Sequence, residues 1–217
     1  MVGTRAAVAV VAGAGLLGLV HFLPMLPGES IPGTAFLAQW VQLAGFASVL
    51  LIPVGLGLLI WRLLRCRRSG GLVAWPVPVT LIALPALLVG MMLQSAAASD
   101  AARQRAIGNA AELISEIEAS RTATGRYPES LLALHPDVRT GVVGIDRFHY
   151  EQLGDGYQLV FENPRYLPFG TRELVVYNPR GEQLAVSHAV WRMNAPHLRG
   201  WYTSGEAAPG WRWFWFD

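Results

Sequence analysis

Five histidines, one cysteine and a scatter of carboxylates are the side chains here that could ligate a metal or move a proton. His135-Pro-Asp137 places a base close to a carboxylate, a pairing used in acid–base catalysis. The intervening proline makes a loop, and the segment follows Leu131 and Leu134, so it reads as a surface turn. His188 and His197 stand nine residues apart, which is neither helical nor hairpin spacing for a metal pair. His149 alternates with Phe148 and Tyr150 and should face solvent. Ser187 and Ser204 lack the Gly-x-Ser-x-Gly elbow that exposes a nucleophile on a sharp turn. No glycine-rich phosphate loop or dinucleotide fingerprint occurs. Glu112 and Glu116 pair on the expected outer face of a helix, an ordinary place for carboxylates. The lone cysteine, Cys66, excludes an intrachain disulfide and a cysteine-built zinc site. Acylation of this juxtamembrane thiol is chemically open, but the plain reading is an unmodified residue. The expectation is a protein with no catalytic residues, no cofactor and no metal, hence not an enzyme.

The aromatic C-terminus offers binding chemistry instead. In Trp211-Arg-Trp-Phe-Trp-Phe216 the period of two puts Trp211, Trp213 and Trp215 on one face of a strand. Arg212, Phe214 and Phe216 then take the other face. Trp191, Trp201 and Tyr202 add to the aromatic supply. Three readings are open: core filling, a docking surface for a partner or glycan with Trp anchors, and contact with lipid headgroups. The candidate binding residues are Trp191, Trp201, Trp211, Trp213 and Trp215.

These residues need elements to hold them. Ala106, Ala110, Leu113 and Ile117 recur at helical spacing between Ser99 and Ser120. Arg103, Asn109, Glu112 and Glu116 lie off that stripe, giving an amphipathic helix with one face on a core. Asp100 is a possible N-cap, but breakers are few between Ala86 and Ala119, so one helix running through is the better reading. Gly125 supplies a stop and Pro128 prevents continuation. Beyond Gly141 the pattern turns to strands. Gly154-Asp155-Gly156 predicts a hairpin. Arg172 to Tyr177 and Gln183 to Trp191 read as further strands, with the turn Asn178-Pro-Arg-Gly181 between them. An antiparallel sheet of about four to six strands should follow the helix.

The first 95 residues differ in kind. Three apolar segments are expected as transmembrane helices, near residues 6–23, 36–64 and 72–93. The first lacks a small-x-small cleavage site and reads as an uncleaved anchor. Residues 1–95 would form a membrane domain and residues 96–217 an extracytoplasmic one. The chain contains no lysine, and arginine supplies all 17 of its basic residues. Five arginines and one acid precede Ala96, and twelve arginines and fourteen acids follow, giving net charges of +4 and −2. The basic excess sits beside apolar segments, so the pI of 9.0 gives no argument for nucleic-acid binding. Arg62, Arg65, Arg67 and Arg68 mark a cytoplasmic loop, whereas Pro24 to Ala35 carries only Glu29 and should face outward. The N-terminus would then be cytoplasmic and the C-terminal domain periplasmic, in a bacterial inner membrane. Apart from Arg62 at the cytoplasmic end of the second, no Asp, Glu, Lys or Arg falls inside an expected span, which argues against transport.

Gly125-Arg-Tyr-Pro-Glu-Ser-Leu-Leu-Ala-Leu134 follows a helix that leaves a membrane. This junction resembles that of type II secretion pseudopilins and related pilin-like proteins, in which a Tyr-Pro step starts a loop with spaced leucines. Phe148-x-Tyr150 and Gly156-Tyr-x-Leu159 look like the first hairpin of the pilin sheet, so the resemblance runs from Ala86 to Glu162. It implies an α+β fold, a long N-terminal helix packed on an antiparallel sheet. It does not imply a polymerising subunit. Pseudopilins have one membrane helix behind a processed leader, and this chain has two further segments and no acidic calcium loop near its C-terminus. The function this favours is a membrane-anchored, non-enzymatic interaction or assembly protein, an accessory subunit with a membrane-protein partner. A periplasmic small-molecule or glycan sensor is the alternative, and an envelope enzyme using His135, Asp137, His149 or His188 a third.

Overall fold

The computed structural model describes residues 2–69, 76–131, 134, 139–165, 172–181 and 202–216. Four helices come first: α1 (Val2–Phe22), α2 (Thr34–Ser48), α3 (Leu51–Ser69) and α4 (Pro76–Thr124). Five strands follow: β1 (His149–Leu153), β2 (Gly156–Asn163), β3 (Arg172–Tyr177), β4 (Tyr202–Ala208) and β5 (Trp211–Phe216). The class is α+β, with a long helix packed on a five-stranded antiparallel sheet.

Two compact units are present. One comprises Met1–Phe22 and Phe36–Ser95; the other comprises Leu23–Ala35 and Ala96–Asp217. In the first, two stretches are long and apolar enough to cross a bilayer, Thr34–Arg68 and the start of Pro76–Thr124. Only 11% and 22% of their most apolar parts are buried, the reverse of a soluble core helix. Leu50 is 76% exposed and Leu93 69%. Two, not three, is therefore the number of membrane-length helices among the described residues. The first segment yields the shorter apolar stretch Ala12–Met25 among the described residues.

Proline shapes both long stretches. Pro53 lacks an N–H for the carbonyl of Val49, and its ring crowds that carbonyl. The chain tightens there into three-residue bonds, Val49 N to Phe46 O and Ile52 N to Val49 O, which separates α2 from α3. Pro85 lies inside α4 without ending it. Close approach in this unit uses small residues: Ala14 and Ala38 are buried with Leu88 and Met92. His21 and Gln42 are also buried here.

In the second unit α4 buries Ala102, Ala106, Ala110, Leu113 and Ile117, the stripe expected from the spacing. Arg103 departs from expectation. It is 8% exposed, not on the outer face. Asp100 is mid-helix rather than a cap, because α4 is one helix of 49 residues. Gly125 ends it at φ 75°, donating to Arg121 O over 2.8 Å.

The sheet order is β1-β2-β3-β5-β4, antiparallel throughout. Leu153 pairs with Gly156 across Gly154-Asp155. Positive φ at Gly154 alone makes this a turn of the II′ kind, whose twist suits a hairpin. Asn178-Pro-Arg-Gly181 turns as expected, with Arg180 N donating to Asn178 Oδ1. Strand β4 had no signal in the sequence, since Tyr202-Thr-Ser-Gly-Glu-Ala-Ala208 does not alternate. The strand expected from Gln183 to Trp191 lies outside the described residues.

Leu23–Ala35, the linker between α1 and α2, folds into the second unit. Gly28 N donates to Gly141 O, Val143 N to Leu26 O, Ile31 N to Val143 O and Gly144 N to Pro24 O. Glu29 and Arg139 pair across it. Gly144 permits this approach, because a Cβ there would meet the Pro24 carbonyl oxygen at 2.6 Å.

Candidate functional site: the tryptophan strand and a buried carboxylate

Strand β5 lies inside the sheet, between β3 and β4, so its side chains have neighbours on both sides. The pairing puts Trp211 in line with Tyr177, Trp213 with Val175, and Trp215 with Glu173. All three tryptophans share a face, as the period of two requires, and α4 lies on that face. They divide by environment. Trp211 is 4% exposed and packs on Phe161 and Tyr177, at ring distances of 5.7 and 5.1 Å. It is core. Trp213 and Trp215 are partly exposed and stack on each other at 4.4 Å. Gly205, opposite Trp213 on β4, makes room for the indole, since a Cβ would come within 2.6 Å of the ring. On the reverse face Phe214 is buried with Val160, Leu174 and Val176, while Arg212 is exposed. Trp191 and Trp201 lie outside the described residues.

Beneath Trp215 sits a cluster that no sequence pattern announced. Glu173 is completely buried and accepts four hydrogen bonds. Arg103 Nη1 donates to its Oε1 at 2.7 Å and Asn163 Nδ2 at 2.8 Å. Arg165 Nη1 reaches Oε2 at 3.1 Å and Trp215 Nε1 at 2.5 Å. Asp100 pairs with both arginines, at 2.9 and 3.2 Å. Asn163 also donates to Ser99 O and Oγ. The Arg165 guanidinium lies over the Trp215 ring at 3.8 Å, a cation–π contact. Four charged groups thus tie β2 and β3 to α4 with no net charge. A carboxylate offers about four lone-pair sites, and Glu173 has four donors, so no site remains to take a proton from a substrate. The cluster is suited to holding structure, not to acid–base work.

The opposite end of the same face is aromatic. Tyr127, Tyr150 and Tyr177 surround the buried Tyr157, with rings 4.8–6.0 Å apart. Tyr150 donates to Pro128 O at 2.7 Å. Burial, helped by Tyr127 and Glu118, pushes its phenol up to about 12. Burial likewise drives Tyr157 upward, followed by Tyr177 and Glu118.

The histidine and serine candidates do not converge among the described residues. His149 stands on the edge strand β1, where partial desolvation lowers its pKa more than Arg147 does. Ser204 is exposed on β4, and Glu112 is exposed on α4. His135, Asp137, Ser187, His188 and His197 lie outside the described residues. A cavity of about 290 Å³ opens beside the Leu23–Ala35 segment, lined by Ser30, Thr34, Val143 and Asp146 among others. Compared with known protein families, with curated proteins and with solved structures, the chain matches none.

Proposed function

We propose that this protein is a membrane-anchored, non-enzymatic interaction or assembly protein whose head works outside the cytoplasm. The observation that carries the reading is the folding of Leu23–Ala35 together with Ala96–Asp217. Between these two pieces lie the two membrane-length stretches. Two crossings return the chain to the side it left, so the linker and the head meet without either traversing the bilayer. A soluble arrangement would leave Leu50, Leu93 and Trp40 bare to water. Arg62 to Arg68, at the end of α3, then lie on the opposite side, where arginines concentrate in cytoplasmic loops. A bacterial inner membrane with a periplasmic head is the matching location.

The head's architecture supports a pilin-like kind of domain. A long helix leaves the membrane, stops at Gly125, and hands over through Tyr127 to a sheet that begins with a hairpin. An accessory subunit of a larger membrane complex fits best, because the buried polar chemistry is spent on internal ties and the head has aromatic groups at its surface. Affinity purification of the tagged full-length protein in mild detergent, read by mass spectrometry, tests this. A stoichiometric membrane-protein partner is expected. Recovery of the protein alone, under conditions that keep other inner-membrane complexes intact, overturns it.

A further inference from the structure

The head has two distinguishable ends. Pairing of the strands places Asn163, Glu173, Trp215 and Thr203 in one row, with Arg172, Phe216 and Tyr202 in the row beyond. Hydrogen bonds fix this end of the sheet to Ser99 and Arg103 on α4. The other end, with Tyr157 and Tyr177, packs at Tyr127, past the last residue of α4. Ser99 and Asp100 follow Ser95, the end of the apolar unit, by four and five residues. Five residues span at most about 18 Å even when fully extended. On the membrane-anchored reading, the residues of α4 that bond this end of the sheet therefore lie within that distance of the end of the apolar stretch.

That end has the composition of a membrane interface. Trp213 and Trp215 are stacked and partly exposed, and the strand pairing puts Phe216 and Tyr202 at the register positions beyond them. Amphipathic indole rings concentrate at headgroup depth.

We propose that the end of the sheet carrying Trp213 and Trp215 beds in the headgroup layer of the phospholipid bilayer that α4 crosses. The occupant of the aromatic surface is phospholipid, and the sheet is a second attachment of the head besides the helix. The proposal rests on the membrane-anchored reading above, and its test separates the two.

Full-length Cys66→Ser protein carries one new cysteine at a time, spin-labelled and placed in phospholipid nanodiscs. The positions are Ser204→Cys on β4, Glu129→Cys beyond α4, and Leu56→Cys on α3, each exposed in the fold. Relative accessibility to oxygen and to a water-soluble nickel complex gives the depth of each label. The Ser204 label is expected to favour oxygen several-fold over the Glu129 label, approaching the Leu56 label. Trp213→Ala should return the Ser204 label to aqueous values, with the Glu129 label and melting temperature little changed. A Ser204 label as wet as that at Glu129, with Leu56 in lipid, overturns the proposal and leaves the stack as a protein or glycan surface. A wet Leu56 label overturns the anchored reading itself.

Discussion

One face of the sheet carries two different solutions to the same task of gripping α4. At the far end Tyr157, Phe161, Tyr177 and Trp211 fill space with rings, and geometry is loose. At the near end Glu173 is held by two arginines, an asparagine and an indole, and geometry is strict. Burial of rings is roughly proportional to area and insensitive to direction. A buried charge is tolerated only while its partners stay in place. The near end should therefore fail abruptly under substitutions of equal size, and the far end should yield gradually.

The sharpest way to break the comparison is Glu173→Gln. It keeps the volume but removes the charge that two buried arginines face. It should cost about 3–5 kcal/mol, the range for breaking a buried ion pair, read as a large fall in melting temperature of the detergent-solubilised protein. Tyr177→Phe, which likewise keeps the volume at the far end, should cost less than about 1.5 kcal/mol. If the two losses are equal, the ends do not differ as described. Gly205→Ala tests the seam between them. The new methyl pushes on the Trp213 indole, which has solvent to move into, so a loss of about 1 kcal/mol is expected, with a red shift in tryptophan emission. Alkaline titration sharpens the far end alone. The Tyr150 phenol is held up to about 12 against about 10 when unfolded. A raised pKa means the folded state prefers the protonated phenol. That contribution is whole below pH ~10 and is lost as the pH climbs towards ~12. Tyr150→Phe should flatten this part of the profile. The smallest effect is expected from Glu29→Ala, since its exposed pair with Arg139 belongs to a class worth about 0–1 kcal/mol.

What the sequence disclosed follows the same division. Local rules worked: Gly125 ended the helix, Gly154 made the hairpin, and alternation put Trp211, Trp213 and Trp215 on one face. The core position of Trp211 and the partial exposure of its two neighbours were not visible, because both obey the same alternation. Glu173 and Arg103 were hidden for a physical reason. A charged residue in an amphipathic pattern reads as solvent-facing, and only a partner 70 positions away makes its burial tolerable. Strand β4 escaped because Gly205 and the paired alanines erase the alternation, though Gly205 is what lets Trp213 lie down. Of the third expected span, only the shorter apolar stretch Ala12–Met25 is found among the described residues. Docking of Leu23–Ala35 on the loop from Arg139 to Ile145 rests on backbone hydrogen bonds, which side-chain patterns do not encode.

The central claim is that this linker and the head share one side of the membrane while the arginine-rich end of α3 lies on the other. Thiol labelling in intact cells with a membrane-impermeant maleimide tests it most directly. Three full-length proteins are compared: native Cys66, Cys66→Ser with Pro32→Cys, and Cys66→Ser with Glu129→Cys. Labelling of the Pro32 and Glu129 positions from outside, with Cys66 labelled only after the membrane is broken, is the predicted result. Labelling of Pro32→Cys and Glu129→Cys from opposite sides would contradict the account.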